Sequence, residues 1–113
     1  MSIHILRERA TPEQIAAMLA DWGVLIKVAV DVQREIMAGG GEMHADSEAV
    51  LLADGSRQSD LWGANWYPAS NEIRFEAIIN LRSRDGNTKT EVQNPAIRAK
   101  MENIIRQLLA GDS

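Results

Sequence analysis

From Glu72 to Arg82 the odd positions are all apolar and the even ones are polar except Ile78. A period of two over this length predicts a half-buried strand. If Pro68-Ala69-Ser70-Asn71 is a four-residue turn, Trp66 faces Ile73, Ala64 faces Phe75 and Trp62 faces Ala77, which gathers the apolar side chains of both strands on one face. The other face of this hairpin then carries Asn65, Arg74, Glu76, Asn80 and Arg82.

Other segments follow a different period. Ile3 and Ile5 alternate with His4, so residues 2–6 read as a short strand. Thr11-Pro12-Glu13-Gln14 then starts a helix, with Thr11 as N-cap, Pro12 at the first helical position and Gln14 completing a capping box. Ile15, Met18, Leu19 and Trp22 form its apolar stripe, and Gly23 can end it in the left-handed conformation. Asn94 and Pro95 start a last helix in the same way, with Ile97, Met101, Ile104, Ile105 and Leu108 on its core face and Gly111 as its stop.

Two stretches carry both signals. Residues 24–38 place Ile26, Ala29 and Ile36 at helical spacing, yet Val28, Val30 and Val32 recur at period two, and a glycine at position 23 disfavours a continuous helix. The favoured reading is a strand over 24–32, a turn near Gln33 to Glu35, and a second strand from Ile36 to His44. Asp46 can cap a short helix from Ser47 to Asp54 closed by Gly55, or the same residues form a strand ending in an Asp54-Gly55 turn. The expected fold is α+β: an antiparallel sheet of four or five strands, with an N-terminal, a short middle and a C-terminal helix packed on one face.

Composition narrows the functional classes. The 113 residues suit one domain spanning 1–113, and 45% hydrophobic with 25% charged residues is an ordinary globular balance. No apolar run approaches the roughly 20 residues that cross a bilayer, and the Met-Ser-Ile-His start has no export-signal pattern. The absence of cysteine excludes disulfides, thiol catalysis and thiolate zinc sites. A net charge of −4 repels nucleic acid and anionic lipid on average. A cytoplasmic protein without membrane or nucleic-acid partners is expected.

The candidate chemistry gathers between Gly39 and Pro68. Glu42, His44, Asp46 and Glu48 alternate, so a continuous strand would aim all four at one face, as a metal site or a general base oriented by a carboxylate. Against this, a single imidazole is a thin ligand set, and Asp46 and Glu48 suit the start of a helix; no metal and no cofactor are expected. Ser56, Gln58, Asp60 and Asn65 beside Trp62 offer the polar part of a small-molecule pocket, with Asn80 and Arg82 as further ligand contacts, although such residues also serve turns. Gly39-Gly40-Gly41 lacks the residues of a phosphate loop and reads as a bulge, tight turn or close backbone approach. Arg82, Arg84 and Lys89 are offset by Asp85 and Glu91. The three tryptophans read as packing residues.

Three segments together resemble a family of short bacterial and archaeal proteins, cyanobacterial ones included, that is recorded only as a domain of unknown function. They are Val28–Val32 running through Gly40-Gly41-Glu42-Met43-His44-Ala45-Asp46; Gly55-Ser56-Arg57-Gln58-Ser59-Asp60-Leu61-Trp62-Gly63; and Ile79-Asn80-Leu81-Arg82. The resemblance covers nearly the whole chain and implies a single-domain cytoplasmic bacterial protein without an established activity. The departure is Glu35, where a turn glycine is expected.

Two functional readings follow. One is a non-catalytic binding or interaction module, a homo-oligomer formed through an edge strand such as 2–6 or 24–32, with a small molecule or a protein as partner. The other is a small hydrolase-like enzyme using His44 with Asp46 or Glu48, with or without a metal.

Overall fold

A computed structural model describes residues 3–20, 22–76 and 94–110. Five antiparallel strands, β1 (His4–Leu6), β2 (Ile26–Asp31), β3 (Ile36–Gly39), β4 (Leu61–Tyr67) and β5 (Glu72–Glu76), form one sheet in the order β1-β3-β2-β4-β5. The helices α1 (Pro12–Leu19), α2 (His44–Ala53) and α3 (Pro95–Ile105) occupy the expected N-terminal, middle and C-terminal positions, and α3 widens into a π-helical turn over Arg106–Ala110.

Strand alternation sorts the core into two layers. Ile26, Val28 and Val30 of β2, Met37 of β3, and Trp62, Ala64 and Trp66 of β4 pack with Met18 of α1 and with Met101, Ile104 and Ile105 of α3. On the other face Ala29, Ile36, Ala38 and Leu61 pack with Leu51 of α2, flanked by Ile3 and Ile5. The middle helix therefore does not share a face with the other two, as the sequence reading had it. A single helical layer presumes one apolar face, whereas Ala29 of β2 with Ile36 and Ala38 of β3 build a second one, and the small Ala29 and Ala38 let a helix lie close.

The best-patterned hairpin has the register expected. Trp66 pairs with Ile73 and Ala64 with Phe75, across a loop of residues 68–71; the expected Trp62–Ala77 pair, the strand beyond Glu76, the loop 83–93 and the Gly111 stop lie outside the described residues. The α1 capping box also forms: Gln14 N–H donates to Thr11 Oγ1 (3.1 Å) and Thr11 N–H to Gln14 Oε1 (2.9 Å). Asn94 Oδ1 accepts from Ala96 and Ile97 at the start of α3. One main-chain bond, from Ala10 N–H to Leu108 C=O (2.8 Å), ties the segment before α1 to the end of the helical layer.

Residues 24–38 form the hairpin of two strands, and Glu35 ends its loop at φ 58°, the left-handed conformation for which the resemblance implied glycine. The second strand stops at Gly39 and does not run to His44. Gly40 (φ 101°) and Gly41 (φ 79°) turn the chain out of the ladder. Gly39 itself is a close approach, because a Cβ there would lie 3.1 Å from both Ile26 Cγ2 and Met18 Sδ. The middle helix begins three residues before the expected start: Met43 is its N-cap, and Asp46 sits inside the first turn, accepting from Met43 N–H (3.1 Å). Gly55 (φ 105°) closes it, with Ser56 N–H bonded to Leu51 C=O.

Trp22 departs from its expected place. Helix α1 ends at Leu19, so Trp22 falls beyond the core stripe and is 45% exposed. Its indole N–H donates to Glu42 C=O (3.2 Å), and its ring lies 5.0 Å from Lys27 Nζ. β2, expected as a possible sheet margin, is the central strand between β3 and β4.

Candidate functional site

Helix α2 sets the fate of the expected catalytic group. His44 is its first residue, 3% exposed, and it shares the sheet-facing side of the helix with Ser47 and Leu51. His44 Nε2 lies 3.0 Å from Ala64 C=O and 2.9 Å from Asn65 Oδ1. A carbonyl oxygen only accepts, so Nε2 carries the proton and donates to both oxygens. Ser47 Oγ donates to Gly40 C=O (3.3 Å), fastening the same helix to the glycine turn.

Asp46 lies two residues beyond His44, and on a helix that spacing turns two side chains to different faces. The strand on which Glu42, His44, Asp46 and Glu48 would share a side therefore does not exist. Asp46 binds the helix start, and Glu48 accepts from Gln58 Nε2 (3.2 Å). Among the described residues no three or more His, Cys, Asp or Glu side chains are placed to hold a metal ion.

The expected ligand cluster is divided as well. Asn65 joins His44 at the start of α2, whereas Ser56 lies beyond its C-terminal end and accepts from Arg34 Nη1 (2.8 Å). Gln58 and Asp60 belong to a short 3₁₀ turn, and Asp60 C=O accepts from Val32 N–H (3.0 Å). Trp62 points to the α1 and α3 side, away from the face that carries Asn65. Asn80 and Arg82 lie outside the described residues.

Two arrangements form that were not anticipated from the sequence. Near the end of α2, Asp54 Oδ2 accepts from Arg7 (2.7 Å) and Arg34 (2.8 Å). The hydrogen bonds from Arg7 and then Arg34 hold the Asp54 carboxyl below the usual carboxylate range. Behind this pair, Asp31 is fully buried; its Oδ1 accepts from the Gln33 and Arg34 amides (both 2.9 Å), and its Oδ2 has no hydrogen-bond partner among the described residues.

The second arrangement crosses three strands. Lys27 pairs with Asn65, and Asn65 with Arg74, so the three occupy one row on the α2 side of the sheet. Each flanking cation rests against an aromatic ring: Lys27 against Trp22 (5.0 Å) and Arg74 against Tyr67 (5.6 Å). Two interstrand spacings separate the outer backbones by about 10 Å, within reach of one small ligand. The central amide is 4% exposed and is held by His44 of α2, which packs on this same side of the sheet. Alternation alone puts Asn65 and Arg74 on one face; Lys27 joins them only once β2 is known to pair with β4, across the intervening helix.

Sheet, helices and site define an α+β protein with a buried histidine supporting a polar row on an antiparallel sheet. The chain belongs to the family described as "Protein of unknown function (DUF5674)", which it matches over residues 4–108. No curated protein and no solved structure matches it.

Proposed function

We propose that the protein is a non-catalytic binding module that takes a small acidic ligand on the row Lys27–Asn65–Arg74. The observation that carries this reading is the row itself: two cations backed by aromatic rings flank an amide that His44 fixes. Charge-assisted hydrogen bonds to carboxylate or phosphate oxygens need donors held in place, and aromatic backing restricts the long side chains before any ligand arrives. Citrate and pyrophosphate are suitable probes. Titration followed by amide NMR should shift the resonances of Lys27, Asn65 and Arg74, and Lys27→Met with Arg74→Met should weaken binding about tenfold or more. Absence of any shift with both probes at millimolar concentration would overturn the proposal.

The hydrolase reading has less support, because Asp46 and Glu48 have partners away from the His44 side chain's two oxygen contacts. Calorimetric titration of chelator-treated protein with zinc, nickel and manganese separates the readings. We expect no binding tighter than about micromolar. A one-to-one isotherm abolished by His44→Ala would favour the hydrolase instead.

A further inference from the structure

The two edges of the sheet differ in kind. β5 carries a charged residue at positions 72, 74 and 76, the usual protection against pairing with another chain. β1, by contrast, consists of His4, Ile5 and Leu6, with no Asp, Glu, Lys, Arg or Pro among them.

Among the described residues no strand pairs with the outer side of β1, and the direction in which its backbone groups point follows from the ladder. Gly40 N–H donates to Lys27 C=O, which makes residues 27 and 40 a directly hydrogen-bonded pair, and the alternation of an antiparallel ladder extends this to the pairs 29 with 38 and 31 with 36. Met37 and Gly39 therefore turn their backbone groups toward β1, where they meet Leu6 and His4. Ile5, between them, points its N–H and C=O outward from the sheet. Beside this edge runs a groove of about 420 Å³ whose lining includes Leu6, Glu8, Thr11 and Gln14.

We infer that β1 pairs antiparallel with β1 of a second copy of this chain, about a twofold axis at Ile5. This interface is independent of the ligand reading. In that register Ile5 of each copy exchanges both main-chain hydrogen bonds with Ile5 of the other, and Ile3 faces Arg7. Ile3 and Ile5, each only partly buried against the α2-side cluster, join across the axis into one apolar strip. His4 of each copy falls opposite Leu6 of the other, beside the groove that Leu6 lines. The occupant is a second copy because this register is self-complementary and seals the apolar strip on both sides at once.

The chain has no cysteine, so an introduced one reports without background. Directly bonded antiparallel partners have Cα atoms about 5.5 Å apart, within the span of a disulfide. Ile5→Cys should form an interchain disulfide under mild oxidation, and Arg74→Cys, on the other edge, should not. Light scattering with gel filtration should give the unmodified protein twice the mass of one 12.5 kDa chain. Ile5→Pro deletes an N–H that β3 does not use, so it should give a folded monomer; Ile5→Lys should do the same by placing two charges across the axis. Circular dichroism verifies that each variant is folded. A monomer at hundreds of micromolar with no Ile5→Cys cross-link overturns the inference. So does a dimer that persists in folded Ile5→Pro and Ile5→Lys, or one that cross-links through Arg74→Cys instead.

Discussion

The hairpins β2–β3 and β4–β5 have the same loop and hold it by different means. In each, four residues join the last paired positions, Asp31 with Ile36 and Tyr67 with Glu72, and the fourth loop residue is left-handed at φ 58°. The first is held from within: the buried Asp31 carboxylate accepts the Gln33 and Arg34 amides. The second is held from outside, where Asn71 Oδ1 accepts from the Trp66 indole (2.9 Å) and Arg106 of the π-helical turn donates to Asn71 C=O (3.1 Å). The left-handed positions differ accordingly. Asn tolerates that conformation and Glu does not, costing roughly 1–2 kcal/mol. An internal anchor lets a loop tolerate a poorly suited residue; an external one makes the residue part of the tertiary structure.

The largest effect is expected where the external anchor joins the core. Trp66 is 5% exposed, and Trp66→Ala removes both its packing and the donor to Asn71. Denaturant melts should show a loss of about 3–5 kcal/mol, with Trp62→Ala in the same range. A loss under about 1 kcal/mol would contradict the core placement of these rings.

Next comes the internal anchor. Asp31→Ala strands two loop amides and should destabilise by about 1–3 kcal/mol, while Asp31→Asn keeps an acceptor oxygen and should cost less. Equal losses in the two variants would mean that packing, not the two hydrogen bonds, holds the first loop.

Glycine at the two left-handed positions should act with opposite signs. Glu35→Gly relieves backbone strain against some gain in unfolded-state freedom, a net stabilisation of about 0.5–1 kcal/mol. Asn71→Gly deletes the acceptor of the Trp66 indole and should cost about 1 kcal/mol. Thermal melts of the pair check the comparison directly, and a shared sign would end it.

The smallest effect concerns the ion pairs beside the first loop. Asp54 titrates lower in the folded than in the unfolded state, so its contribution is complete above the unfolded value and is lost as pH falls through the folded one. In Arg34→Ala the Asp54 carbon resonance should titrate at higher pH than in the parent protein. An unchanged midpoint would show that Arg7 alone sets it.

The contrast also explains which parts of the structure were legible in the sequence. The β4–β5 register, the Thr11 and Asn94 caps and the Gly55 stop depend on neighbours within a few residues, and local pattern reveals them. The Glu42–Glu48 alternation misled because two glycines with positive φ convert a strand pattern into a turn and a helix start within four residues. Trp22 misled because its helix ends one turn earlier than its apolar stripe. The row Lys27–Asn65–Arg74 joins residues 38 and 9 positions apart, and the longer link exists only through the β2–β4 pairing. The placement of α2 on the second face required recognising that Ile5, Ala29, Ile36, Ala38 and Leu61 form a second apolar set.

The bond from Ala10 N–H to Leu108 C=O bears on the order in which the chain is made. Met18 and the buried faces of Val28, Val30 and Trp62 are sealed by Met101, Ile104, Ile105, Leu108 and Leu109, which leave the ribosome after every strand of the sheet. Until they emerge, the growing chain has an apolar sheet face uncovered, a state prone to aggregation. Truncation ahead of Met101 would make that state permanent, so the last helix acts as the lid that ends the vulnerable period of synthesis.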